Sequence, residues 1–326
     1  MRRGGVMLYP SEGIALSART DFVADVAEYL QRTPRQLPSR YFYDALGSAL
    51  FDAICRLPWY RVTRAETALL SRYARQILER LPRPLNISEL GCGNGEKLAI
   101  LLERGGERFR RVHLIDISPA ALLSARARLA TLPANPVTTF HGTYEEGLAR
   151  LATHRSQGSW LVLFLGSNIG NFDPPAARDM LRRIRGSLVE GDALLLGTDL
   201  VKSPRALQLA YDDPLQVTAA FNRNLLRRIN DEAGGTFDLD GFAHRALWNP
   251  QHSRVEMHLV STRQQLVRIA AADLEIEFQK DEWIWTESSY KYEPAHVLSE
   301  GRQAGFQDGE QWIDEDARFA LTLFKV

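Results

Sequence analysis

The amino-acid sequence predicts a doubly wound α/β domain with a smaller mixed α+β unit attached to it. Three features lead there. Between Pro84 and Leu200, short apolar runs alternate with amphipathic stretches of helical period. A glycine-rich turn joins the first apolar run to its helix, and after Leu200 the alternation gives way to period-two segments. Strands that alternate with amphipathic helices form a parallel sheet covered on both faces, so they read as continuous apolar runs.

The elements follow in order. Residues 21–31 (DFVADVAEYLQ) place apolar side chains at helical spacing, and RYFYDALGSALFDAICRLPWY concentrates aromatics ahead of Thr63. In TRAETALLSRYARQILERL, Thr63 followed by Glu66 predicts a capping box that opens a helix. LNISEL is the first strand, and GCGNGEKLAILLERG is a turn running into a helix. RVHLIDIS, VTTFHG and WLVLFLGS are the next strands, with helices in SPAALLSARARLATL and EEGLARLATHR between them. A helix over 174–189 and the strand ALLLGTDL complete the alternation.

A long helical stretch then runs to about Asp231 and stops at Gly234-Gly235. RVEMHLVST, QLVRIAAADL and EIEFQ have period two and predict an inserted antiparallel unit. A helix over 294–304 precedes ARFALTLFKV, a strand expected to return to the main sheet as an antiparallel partner near its edge.

Bulk properties narrow the function. A chain of 326 residues that is 45% hydrophobic can bury a sizeable core in one large or two modest domains. Forty basic residues balance forty acidic ones, which argues against a general nucleic-acid-binding surface. No run approaches the ~18–20 apolar residues of a membrane span. MRRGGVMLYPSEG lacks the apolar centre of a secretory leader. Cys55 and Cys92 cannot build a disulfide framework, so a reducing, cytoplasmic setting is expected. The histidines show no metal-ligand spacing; His252 and His258 read as structural, and no metal is expected.

The most informative motif is Glu89-Leu90-Gly91-Cys92-Gly93-Asn94-Gly95, which ends a strand and opens a helix. Gly91 and Gly93 let the backbone approach a ligand where any Cβ would collide. A nicotinamide-type G-x-G-x-x-G would need glycine at 96, where Glu96 stands. The pattern E-x-G-x-G-x-G instead suits S-adenosylmethionine, with the loop beside the amino-acid end of the cofactor. Asp116 ends the next strand, where an acid can accept both ribose hydroxyls. It equally reads as an opening residue for the helix in SPAALL, and the two roles are compatible.

From about Leu37 to Val326 the chain resembles the histidine Nα-methyltransferases of ergothioneine biosynthesis, which form hercynine. The words that carry the resemblance are YFYDALGSALFDAICRLPWYRVTRAE, ELGCGNGEK, FLGSNIGNF, LLLGTDLVK, AYDDPLQVTAAFNRN and TESSYKY. It implies a Rossmann-like class I methyltransferase sheet with a second, smaller mixed α+β substrate domain. Residues 1–62 and 201–289 would then supply the substrate domain, 63–200 the cofactor domain, and 290–326 the return to it. A monomer acting on a free amino acid is expected.

The resemblance also implies roles for particular residues. Asn171 would hold the substrate's amino and carboxylate groups, with Tyr60 and Tyr211 at the carboxylate end. Glu287 and Ser289 would read the imidazole, and Met257 would line its pocket. Tyr43, Gly91 and Lys97 would contact the cofactor and Asp116 its ribose, while Gly166 would lie beside the methyl-transfer point. Thr143 stands where the family often has an acid facing adenine, with Tyr144 beside it as a stacking candidate. Asn168 stands where some members carry threonine.

Plainer readings stand beside these. Locally, Tyr60 and Tyr211 are core aromatics, Met257 is core filler, and Asn171 caps the helix in DPPAARDML. Glu287 reads equally well as a surface strand residue paired with Lys291; the family words favour ligand contacts throughout. The alternative activity is Nα-methylation of tryptophan or another aromatic amino acid. Glu287 argues against it, because an indole offers one donor and no second polar nitrogen.

Overall fold

The computed structural model describes residues 11–132, 136–153, 155, 157–307 and 309–326, with side chains described from Thr20 onward. The leader reading of MRRGGVMLYPSEG, and His154 of the predicted helix EEGLARLATHR, lie outside the side chains described. The chain opens with α1 (Ser11–Leu30), β1 (Arg35–Gln36), α2 (Ala45–Arg56) and α3 (Val62–Glu79). The alternation follows: β2 (Leu85–Leu90), α4 (Glu96–Gly105), β3 (Phe109–Asp116), α5 (Pro119–Leu129) and β4 (Val137–His141). It continues through α6 (Tyr144–Thr153), β5 (Ser159–Phe164), α7 (Pro174–Ser187) and β6 (Ala193–Asp199). Next come α8 (Pro204–Tyr211), α9 (Val217–Ala233), β7 (Phe242–Asn249), β8 (Arg254–Ser261), β9 (Gln265–Ile269), β10 (Leu274–Phe278) and β11 (Trp283–Tyr290). The chain closes with α10 (Pro294–Gln303), β12 (Glu310–Asp314) and β13 (Phe319–Lys325).

These elements pack into two compact units. The larger comprises residues 43–218, 246–256 and 288–326; the smaller comprises the segment ending at Phe42 with 219–245 and 257–287. The first changes of unit fall at 42/43 and 218/219, where the sequence pattern suggested 62/63 and 200/201. The reason is that α3 packs on α4 and β13, and Gln208 of α8 donates to the Ala246 carbonyl, all within the larger unit.

The larger unit holds a seven-stranded sheet of order β12-β13-β6-β5-β2-β3-β4. Strands β2 to β6 are parallel, and β13 pairs antiparallel with β6, as expected of the closing strand. β12 lies outside β13; only Trp312 of its five residues is buried, too short a signal to read from sequence. β2 and β6 are buried at every residue, which accounts for their unbroken apolar character. One face packs Leu90, Phe164, Leu196 and Phe324 with Met180, Ile184 and Val297 of α7 and α10. β2 lies between β3 and β5, so the strand order reverses there. In open parallel sheets the crevice beyond the strand carboxyl ends at such a reversal is the ligand site.

The smaller unit contains α1, α9 from Ala219 onward, the β9–β10 hairpin, β1, and residues 242–245, 257–261 and 283–287 of β7, β8 and β11, strands of a sheet of order β1-β11-β8-β7. Within the insertion β9 and β10 pair antiparallel, as the period-two runs suggested, and β1 of the N-terminal segment adds to β11 in parallel. Phe42 stacks on Phe221 at 4.5 Å, and His258 packs 4.2 Å from Trp283 and 5.7 Å from Trp285. Trp283 and Trp285 thus build an aromatic pile around a buried histidine.

Three local expectations change. QLVRIAAADL is not one strand: β9 ends at Ile269, a tight turn leaves Asp273 at φ 47°, and β10 folds back on β9. The long helical stretch breaks into α8 and α9 around Pro214, with Asp213 accepting from the Val217 and Thr218 amides. The capping box at Thr63 is absent, because α3 already starts at Val62, and Arg61 makes no side-chain cap. A T-x-x-E word does cap elsewhere: Thr143 and Glu146 exchange hydrogen bonds at the start of α6.

Candidate active site

The glycine loop leaves β2 with Gly91, Gly93 and Gly95 all in the left-handed region, at φ 74°, 50° and 74°. The Gly91 position is also crowded: a Cβ there would lie 2.8 Å from Asn168 Nδ2 and 3.0 Å from Tyr144 Oη. Any larger residue would be strained by the positive φ and would collide with those two side chains. The Gly91 amide donates to the Ile115 carbonyl, and the Gly93 amide to Asp116 Oδ2 at 3.0 Å. Asp116 Oδ1 accepts from the Ser118 amide at 2.9 Å, and Ser118 in turn caps α5. The carboxylate therefore ties the glycine loop to the next helix and keeps further lone pairs for a ligand. Burial raises its pKa, partly opposed by those backbone donors.

Glu66 is the residue the sequence misplaced. It is fully buried and accepts from the Gly166 amide at 2.9 Å on both oxygens, with Lys97 Nζ 2.6 Å away. Burial pulls Lys97 down, but Glu66 outweighs it and the ammonium is held above its ordinary range. Lys97, expected at the cofactor, is thus paired first with Glu66. The loop after β5 is pinned here and again at Ser167, a non-glycine residue at φ 58° whose Oγ accepts from the Asp199 amide. Such strain persists only where neighbours hold it, and it gathers at functional sites.

Glu89, two residues before Gly91, is buried, and its Oε2 has no hydrogen-bond partner among the described residues. Burial is the main cause that lifts its pKa to about 8; Lys97 pulls it down, and Glu66 and Asp116 push it up. A buried carboxyl with an open oxygen beside a glycine loop suits the ammonium of an amino-acid ligand. Thr143 is engaged in its cap. Tyr144 packs edge-on to Phe164 at 5.2 Å, and Tyr43 packs edge-on to Phe51 at 5.6 Å. Asn171 closes the short helical turn Asn168–Asn171 and is half-buried.

A second cluster lies at the end of β11. Tyr60 and Tyr211 meet edge-to-face at 6.3 Å, and Tyr211 Oη lies 2.8 Å from Ser289 Oγ. Lys291, completely buried, reaches Tyr211, Ser289 and Asp199. Those are its partners, which displaces the reading of Lys291 as the surface mate of Glu287. Sequence reasoning passed over Asp199 and gave Lys291 no place in the site, although both stand inside the words TESSYKY and LLLGTDLVK. Met257 and Glu287 belong to the smaller unit: Met257 is buried there, and the Glu287 carbonyl accepts from Trp285 Nε1 at 2.9 Å.

A parallel sheet reversing at β2, a triple-glycine loop after it and an acid ending β3 define an S-adenosylmethionine-dependent methyltransferase. Comparison with known proteins narrows this. The family described as histidine-specific, S-adenosylmethionine-dependent methyltransferases matches residues 22–326, and the chain belongs to it. The histidine N-alpha-methyltransferase of Mycolicibacterium smegmatis is 41% identical over 302 residues, covering 92% of this chain and 93% of its own. The protein of the same name from Mycobacterium tuberculosis is 41% identical over 303 residues, with the same coverage. The L-tryptophan methyltransferase of Psilocybe serbica is 26% identical over 333 residues, covering 93% and 92% of the two chains.

Asp116→Ala is expected to weaken S-adenosylmethionine binding by ~1–3 kcal/mol, as the loss of charge-assisted hydrogen bonds should. Calorimetric titration measures it; an unchanged affinity would remove Asp116 from the ribose.

Proposed function

We propose that this enzyme methylates the α-amino nitrogen of L-histidine and carries it to the trimethylated betaine hercynine. The observation that carries the reading is the 41% identity, over 92% of the chain, to two proteins named for that activity. S-adenosylmethionine supplies a methyl group already activated on a sulfonium, so the protein's task is mainly positioning. Glu89 would take the cofactor's ammonium, Asp116 its ribose hydroxyls, and the loop over Gly91 and Gly93 would pass beside its amino-acid end. Thr143, Tyr144, Tyr43, Gly93 and Lys97 complete the proposed cofactor surround.

On the substrate side, Asn171 and the hydroxyls of Tyr60 and Tyr211 would hold the amine and carboxylate, so that the nitrogen lone pair faces Gly166. Glu287 and Ser289 would read the ring and Met257 would pack on it. A site built on polar groups that need partners rejects ligands that leave them unpaired, by ~10⁴-fold in favourable cases. We place the reaction in the cytoplasm and in a monomer; the two free thiols, Cys55 and Cys92, support a reducing compartment.

Mass spectrometry of histidine incubated with the enzyme and cofactor tests the activity, with mono-, di- and trimethyl products expected in turn. Turnover of tryptophan but not histidine would overturn it. Glu287→Ala should raise the KM for histidine far more than that for S-adenosylmethionine. Equal effects on both would make Glu287 structural.

A further inference from the structure

Lys291 follows β11 in the larger unit, and its side chain is fully shielded from solvent. Nζ lies 2.7 Å from Tyr211 Oη, 2.8 Å from Ser289 Oγ and 3.2 Å from Asp199 Oδ2. An ammonium has three N–H donors, so these three acceptors engage all of them. Burial by itself would favour the neutral amine, but Tyr211 and Asp199 outweigh it and hold Lys291 charged. Asp199 is anchored in turn: Oδ1 accepts from Lys202 Nζ at 2.5 Å, and its amide donates to Ser167 Oγ in the loop after β5.

The hydrogen count of the hydroxyl pair follows. Tyr211 Oη and Ser289 Oγ are 2.8 Å apart, so one of their two hydrogens bridges them. Each oxygen also accepts from Lys291. The oxygen that receives the bridge has both lone pairs filled and turns its own hydrogen outward. The oxygen that gives the bridge keeps one lone pair. The bonds within this cluster therefore account for all of the pair's hydroxyl capacity except one O–H and one acceptor site. Without the ammonium both hydroxyls would rotate more freely, and that polarity would be lost.

We propose that Lys291 is a positioning residue for the amino-acid substrate, orienting the Tyr211–Ser289 pair as a unit of one donor and one acceptor. This rests on the reading of Tyr211 and Ser289 as histidine contacts. Lys291 does not touch the reacting atoms; it acts through the two hydroxyls, with Asp199 holding it in place.

The experiment is a double-mutant cycle on the full-length enzyme with Lys291→Met, Ser289→Ala and both together. Histidine KM, S-adenosylmethionine affinity and melting temperature are read for each. Lys291→Met should raise histidine KM on the order of 10- to 100-fold, the loss of hydrogen bonds to a charged group. Cofactor affinity should stay within about twofold, as for independent sites. Ser289→Ala should then add little in the Lys291→Met background. Equal losses for both ligands, or a full Ser289→Ala effect without Lys291, would overturn the proposal. If Lys291→Met does not fold, Lys291→Gln, neutral and of similar length, takes its place in the cycle, and the same results support or overturn the proposal. Histidine methylation by the unmodified enzyme is measured first. Its absence would overturn the functional reading, whereas methylation without Lys291–Ser289 coupling would overturn this proposal alone.

Discussion

Glu66→Ala is expected to lower stability by about 3–5 kcal/mol, the effect of breaking a buried ion pair from one side. Two groups lose their partner together, the Lys97 ammonium and the Gly166 amide, and with the amide goes the anchor of the loop that Gly166 begins. The fold has made room for this carboxylate, since a Cβ at Gly197 in β6 would come within 2.0 Å of Glu66 Oε1. Glu66→Gln keeps the shape and one acceptor for Gly166 but loses the charge, so its loss should be smaller. Denaturant unfolding of the two variants measures the order. A Glu66→Ala protein as stable as its parent would mean that Lys97 swings into solvent at no cost. Cofactor affinity should fall with stability here, because the loop after β5 and Lys97 share the same anchor.

Glu89→Gln should have the opposite signature. The folded-state pKa of Glu89 lies near 8, above its ordinary 4.5. Between those values the folded protein binds more protons than the unfolded chain. The contribution is therefore fully present below about pH 4.5 and is lost as pH rises through about 8. Glutamine cannot ionise, so the variant without cofactor should be more stable than its parent at pH 9, by a few kcal/mol on the scale of about 1.4 kcal/mol per pKa unit. Binding should show the converse. In the parent, S-adenosylmethionine affinity should rise from pH 6 as Glu89 ionises to meet the cofactor's ammonium and fall again above about pH 8 as that α-amine loses its proton, and in Glu89→Gln the rise should flatten. Melting curves at pH 6 and pH 9 and binding titrations across that range decide it. Parallel pH profiles for the two proteins would place the titrating group elsewhere.

The two T-x-x-E words show where sequence reading ends. Thr63 to Glu66 and Thr143 to Glu146 carry the same local signal, yet only the second closes a capping box. The first glutamate is drawn inward, because a half-buried lysine and a loop amide offer it charge-assisted bonds that a helix end cannot match. Lys291 shows the same limit. Its residue type and its place in TESSYKY are plain, but its partners Asp199 and Tyr211 arrive from β6 and α8. The break at Pro214 and the tight turn at Asp273 had visible local causes, which the longer apolar periodicities outweighed.

The order of residues alone was enough to establish the strand–helix alternation, the glycine loop, the acid at the end of β3 and the antiparallel return of β13. All four are written in backbone requirements and in which side chains must leave water, and those are local properties of a segment. It took the folded chain to settle which buried charges meet, how three separated segments share one unit, and which hydroxyls an ammonium aligns. Burial dictates that a charge must find a partner, but which partner it finds depends on chain segments brought together only by folding.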